Sequence, residues 1–167
     1  ADGYGLGAAA VTQRLMAEGA RTFFVARAAE GVRLREAIGP EPGIYILDGC
    51  HGAGATMLKA SNLRPVINHP TQLQTWQAAG GGACGLQIDT GMNRLGFAPA
   101  QLAAVRQRLL DAQATTRLVA MTHFARSEEA AHPLTVAQIE RFDSANATAC
   151  LPASIANSGG IIGWPAS

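Results

Sequence analysis

The clearest chemical potential in this sequence lies in Asp89-Thr90-Gly91-Met92-Asn93-Arg94-Leu95-Gly96-Phe97. There a single arginine stands in a glycine-punctuated loop directly after the short apolar run Gly85-Leu86-Gln87-Ile88. A guanidinium presents five donors in a fixed fork and stays charged at any ordinary pH, so Arg94 suits a carboxylate, a phosphate or a phenolate oxygen. Gly91 and Gly96 permit tight turns and let backbone come close to a ligand. The alternative role for Arg94 is a surface ion pair. Asp89 reads as a residue that caps or braces the loop rather than as a base.

Other candidates also follow apolar runs. His123 comes after Leu118-Val119-Ala120-Met121-Thr122 and can lay a flat ring against a ligand or serve the fold alone. Ser158, with Gly159 and Gly160, offers a hydroxyl and backbone N–H groups of the kind that hold phosphate. Asn157 beside them reads first as a turn-shaping residue, with ligand contact the second option. Tyr4 sits in the glycine-bounded turn Gly3-Tyr4-Gly5, where its hydroxyl can reach a phosphate oxygen or be satisfied within a core. His51, His69 and His132 show no metal-ligand spacing and read as loop residues, so no metal is expected. Lys59 is the sole lysine, and in Met57-Leu58-Lys59-Ala60-Ser61 it reads as a solvated helix residue.

Four segments in order give these residues a context. Ala1-Asp2-Gly3-Tyr4-Gly5-Leu6-Gly7, the Asp89–Phe97 loop, Thr122-His123-Phe124-Ala125 and Ile155-Ala156-Asn157-Ser158 together resemble the alanine racemases, enzymes of a pyridoxal-phosphate (PLP) family built on a barrel. The resemblance covers nearly the whole chain.

It implies that Arg94 donates to the phenolic oxygen of PLP and helps hold a substrate carboxylate, and that His123 lies against the pyridine face. It also implies that Tyr4, Ser158 and Gly159, with Asn157 beside them, bind the cofactor. Gln87 stands where family members carry a carbamylated lysine that orients the arginine. The family's cofactor lysine directly precedes the Ala-Asp-Gly-Tyr type of segment. Its second base, a tyrosine, comes from the partner of a homodimer and lies in a β-rich second domain.

The sequence therefore reads as a fragment, residues 1–167 forming part of the barrel domain, with that lysine and the β-rich domain outside it. The activity implied is PLP-dependent interconversion of L- and D-alanine, feeding D-alanine to bacterial cell-wall peptidoglycan in the cytoplasm. A broader amino-acid racemase, a decarboxylase on the same barrel, a non-catalytic PLP-binding protein and a purely structural module without cofactor are the alternatives. The Arg94 loop counts against a mere carrier, which has little use for a carboxylate donor.

The elements that must position these residues follow the same rhythm. Helices are expected at Ala8–Ala17, Ala29–Ala37, Thr71–Ala79, Ala98–Ala112 and Thr135–Ala149. Strands are expected at Thr22–Ala26, Ile44–Leu47, Pro65–Asn68, Gly85–Ile88, Leu118–Thr122 and Ser154–Ala156. This alternation predicts an α/β fold with parallel strands. Taken with the family resemblance, about six βα units make an incomplete (β/α)8 TIM-type barrel. Every motif then falls at the C-terminal end of a strand, where barrel enzymes build their sites.

Composition agrees with a soluble enzyme core. The 167 residues are 48% hydrophobic and 15% charged, with 13 basic against 12 acidic residues. Without a basic run, nucleic acid is not an expected partner. No apolar run is long enough to span a bilayer, so no membrane partner is expected either. Cys50, Cys84 and Cys150 are odd in number and far apart, so reduced thiols are expected rather than a disulfide framework.

Overall fold

Parallel strands joined by helical crossovers are covered on both faces, so they are written as short apolar runs rather than as alternating patterns. In the computed structural model, which describes residues 2–111, 118–129 and 132–164, the runs of this sequence do form such strands. After a 3-10 turn at Asp2–Gly5 come α1 (Ala8–Ala17), β1 (Thr22–Val25), α2 (Ala28–Ile38), β2 (Gly43–Ile46), α3 (Gly54–Ala60), β3 (Arg64–Ile67) and α4 (Pro70–Ala78). Then follow β4 (Cys84–Gln87), α5 (Leu102–Asp111), β5 (Leu118–Met121), α6 (Pro133–Ala149), β6 (Ala153–Ser154) and α7 (Ser158–Gly163).

The strands pair in chain order, β1-β2-β3-β4-β5-β6, and every neighbouring pair is parallel. They form a curled half-barrel with helices on its outer face, the incomplete barrel that the sequence implied.

Two apolar clusters define the two faces. Outward-pointing strand residues Ile44, Ile46, Ile67, Leu86, Ile88 and Ala120 join Leu34, Leu58, Leu73, Trp76, Leu109 and Phe142 of the helices in one main core. Each fully buried leucine or isoleucine there is worth about 1.5–3 kcal/mol of transfer free energy. The inner face has its own small cluster of Tyr45, Val66 and Met121. Phe24 stacks on Tyr45 at 5.2 Å between ring centroids, and the Arg64 guanidinium lies 5.4 Å from the Tyr45 centroid. α2 reaches the sheet because it carries Gly31, where a Cβ would stand 2.6 Å from the Ile46 side chain.

The expected elements are present with small shifts at their ends. Ladder partners decide where a strand begins. β2 opens at Gly43, whose N–H donates to the Arg21 carbonyl, one residue before the apolar run that marked it. β6 pairs only through Ala153 and Ser154, because the chain then turns into α7. α5 starts at Leu102 rather than Ala98, since Pro99–Gln101 forms a 3-10 turn first. Its expected last residue, Ala112, lies outside the described residues, as do Ala1 of the first motif and the stretch Pro165 to Ser167.

Two loop histidines have a definite job. His69 and His132 each precede a proline that opens a helix, and each accepts through Nδ1 from the N–H two residues on, Thr71 at 3.2 Å and Leu134 at 3.1 Å. They are the N-caps of α4 and α6.

Candidate active site

The loop between β4 and α5 is closed at its neck and braced from within. The Phe97 N–H donates to the Gln87 carbonyl and the Asp89 N–H to the Phe97 carbonyl, both at 2.9 Å. The Asp89 carboxylate then accepts from the N–H groups of Gly91 and Asn93, each at 3.0 Å. Asp89 therefore shapes the loop, as its sequence context suggested. Gly91 and Gly96 take φ values of 142° and 122°. A Cβ on Gly96 would lie 2.8 Å from the Asp89 nitrogen, so the close approach this glycine permits is to the loop's own neck.

Arg94 projects from this loop into solvent and engages no carboxylate among the described residues. The surface ion pair considered from sequence does not form among the described residues. His123 stands half-buried on the neighbouring β5 loop. Burial, and after it the positive charge of Arg94, lower the His123 pKa from its ordinary 6.5, so the ring is neutral at neutral pH. The structure thus brings Arg94 and His123 together. Gln87 points from the inner face of β4, but its amide makes only a long 3.5 Å contact to the Ile88 carbonyl and none to Arg94.

Asn157 is the N-cap of α7. Its side-chain oxygen accepts from the Gly160 N–H at 2.9 Å and from the Ser127 hydroxyl at 2.6 Å, which is the turn-shaping role. The cap leaves the Ser158 hydroxyl and the N–H groups of Ser158 and Gly159 without a partner among the described residues.

Tyr4, at φ 59°, is 97% exposed and lines a groove of about 740 Å³ beside Phe24, Ala26 and Leu47. It is not a core tyrosine. β1 and β6 are the two edges of the sheet, so Tyr4 and Ser158 flank the half-barrel, with Arg94 and His123 between them. Lys59 donates to the Ala79 carbonyl at 2.7 Å from the last turn of α3. Crossover helices run back toward the N-terminal ends of the strands, so Lys59 lies at the end opposite these residues.

Sequence reasoning missed Gln138, Arg141 and Thr90. Gln138 is fully buried and donates to the Thr90 hydroxyl at 3.2 Å and the His123 carbonyl at 2.9 Å, while accepting from the Ala125 N–H at 2.9 Å. Thr90 also bonds the Thr122 hydroxyl at 2.8 Å, and Arg141 donates to the Thr90 carbonyl at 2.8 Å. The available signal was an amide on the inward stripe of α6, which runs Thr135, Gln138, Phe142.

The parallel half-barrel carries Arg94 and His123 on adjacent strand-end loops, the end of the strands at which barrel enzymes build their sites. The chain belongs to the alanine racemase N-terminal domain family, whose model matches residues 1–167. A curated alanine racemase from Jannaschia sp. (strain CCS1) is 41% identical over 167 residues, covering 99% of this chain and 47% of that protein. The solved alanine racemase of Streptomyces coelicolor A3(2) superposes with a TM-score of 0.90 at 25% identity, over 98% of this chain and 48% of its own. Alanine racemase from Bartonella henselae, solved with covalently bound pyridoxal phosphate, gives 0.82 at 29% identity, over 95% of this chain and 48% of its own. The chain spans about half the length of the curated relatives it matches. Among the described residues, no helix is long and apolar enough to cross a membrane.

Proposed function

We propose that the chain is part of the barrel domain of a PLP-dependent alanine racemase that interconverts L- and D-alanine and supplies D-alanine for peptidoglycan in the bacterial cytoplasm. The observation that carries this is the placement of Arg94 and His123 on the loops after the paired strands β4 and β5, in a chain that matches the racemase family along its length.

The donor set fits PLP. An anionic phosphate needs hydroxyl and N–H donors, which Ser158 and Gly159 leave free and Tyr4 can add to. A phenolic oxygen needs a permanent cation, and Arg94 has no competing carboxylate among the described residues. An uncharged ring suits face-to-face contact with a pyridine, and burial keeps His123 uncharged. Asn157 contributes by holding Ser158 and Gly159 in place.

When bound, PLP supplies an electron sink that makes the α-proton of an amino acid removable. The residues of this chain bind and orient around that chemistry. Arg94 holds the substrate carboxylate, and the neck and Asp89 keep its loop in one shape. Inverting a carbon centre requires a proton taken from one face and returned to the other, hence two bases. We assign these to a lysine that precedes Ala1 in a longer polypeptide and to a tyrosine of the partner subunit in a homodimer, with a β-rich domain completing each protomer. The bond of Lys59 to the Ala79 carbonyl, at the end of α4, speaks against that role for Lys59.

The test is borohydride reduction of the PLP-treated full-length protein followed by peptide mapping. The expected result is a phosphopyridoxyl group on the lysine adjoining Ala1. A label on Lys59, or none, would overturn the assignment.

A further inference from the structure

We propose that Gln138 is the positioning residue that fixes the Arg94 loop against His123, a role that rests on the racemase reading for its effect on turnover but on geometry for its existence. The β4-β5 ladder ends at Gln87 and Met121, with one further bond from the Ile88 N–H to the Met121 carbonyl at 2.7 Å. Beyond that point no backbone bond joins the two loops among the described residues. Thr90 and His123 both lie past the end of the ladder, and what joins them is side chain.

Gln138 spans this gap with both amide protons donated and its oxygen accepting. One amide proton goes to the Thr90 hydroxyl, the other to the His123 carbonyl, and the oxygen takes the Ala125 N–H. It thus grips the β4 loop and both sides of Phe124 at once. Its position is itself fixed, since Gln138 is fully buried between Thr135 and Phe142 on α6, and Arg141 one turn on holds the Thr90 carbonyl. A buried amide with every group satisfied is rigid, and moving it would strand polar atoms. Arg94 lies only four residues beyond Thr90 on a loop that Asp89 keeps in one shape, so the place of Thr90 relative to His123 sets the place of the guanidinium.

Gln72 is an internal comparison. From α4 it donates to the Asp48 carbonyl at 3.2 Å and accepts from the Asn68 N–H at 2.9 Å, bracing the β2 and β3 ends in the same way. Those ends carry none of the residues assigned to PLP or substrate. Losing Gln72 therefore mimics the structural cost of losing Gln138 without its consequence for Arg94 and His123.

The experiment uses the full-length, PLP-loaded protein with Gln138→Met, which removes all three bonds at similar length, Gln138→Glu, which keeps only the acceptor, and Thr90→Val. Gln72→Met is the control. Per bound PLP, kcat for alanine should fall about tenfold or more in the Gln138 variants, with KM changed less than about threefold, as for a misplaced rather than missing group. His123, followed by NMR, should titrate closer to 6.5 in Gln138→Met, and this shift should vanish in an Arg94→Ala background. Gln72→Met should lower Tm while leaving kcat and the titration unchanged.

Unchanged kcat per bound PLP in the Gln138 variants, an equal fall in Gln72→Met, or an unmoved His123 titration would each overturn the proposal. If both Gln138 variants fail to fold, Thr90→Val decides by the same readouts. An inactive wild type would remove the racemase reading instead, and the titration would still decide the role of Gln138.

Discussion

Arg94 and His123 stand on adjacent loops at one end of the sheet, close enough for the guanidinium charge to add to burial in holding the imidazole below 6.5. Removing the charge removes one of the two causes. Arg94→Ala should therefore raise the His123 pKa toward 6.5, measured by the pH dependence of its ring signals in NMR. A pKa that stayed put would separate the two residues.

The same shift has a sign for stability. The native state binds the His123 proton less readily than the unfolded chain, so this contribution is present above pH 6.5 and is lost as pH falls through the lower native value. Denaturant unfolding should show His123→Asn, which cannot take up a proton there, losing less stability than wild type between pH 7 and the native pKa. Parallel pH curves for the two proteins would contradict this.

Arg94→Ala in the full-length protein should lower kcat far more than it weakens PLP binding, by on the order of 10²-fold for a lost preorganised donor. Turnover and cofactor titration, measured side by side, check it. Unchanged racemisation would take Arg94 out of the mechanism.

Ser158→Ala and Tyr4→Phe should do the reverse, weakening PLP affinity by roughly 1.5–3 kcal/mol each, one hydrogen bond to a charged group, with a smaller effect on kcat. Equilibrium dialysis of PLP against each variant gives the answer. Wild-type affinity in both would sink the phosphate assignment.

The thiols should react unequally. All three are free, but burial pushes Cys84 up to about 12 and raises Cys50, while Cys150 is exposed at the end of α6. A thiol reagent at pH 8 should label Cys150 promptly and the other two only after unfolding. Prompt labelling of Cys84 would contradict its place in the core.

How much of this was legible in the sequence depends on range. Strand runs such as Ile44–Leu47 could be read because both faces of a parallel strand are apolar, yet their limits were set by partners like Arg21 that no local window contains. α7 has no counterpart among the expected elements, because Ser158-Gly159-Gly160 has poor helix propensity. It is held by the Asn157 cap and by the Trp164 indole donating to the Ser127 carbonyl at 3.3 Å, a contact across 37 positions. Arg94 and His123 were found because each lies in a recognisable motif. Gln138 was not, because one glutamine in a helix has no motif and its partners lie as far as 48 residues away.

As part of a racemase, this chain would help move the α-proton of alanine from one face to the other. Proton NMR of L-alanine in D2O with the full-length, PLP-loaded protein tests it most directly. Loss of the α-proton signal is expected, with D-alanine formed until the enantiomers balance. An α-proton signal that persists through prolonged incubation, with no D-alanine formed, would contradict it.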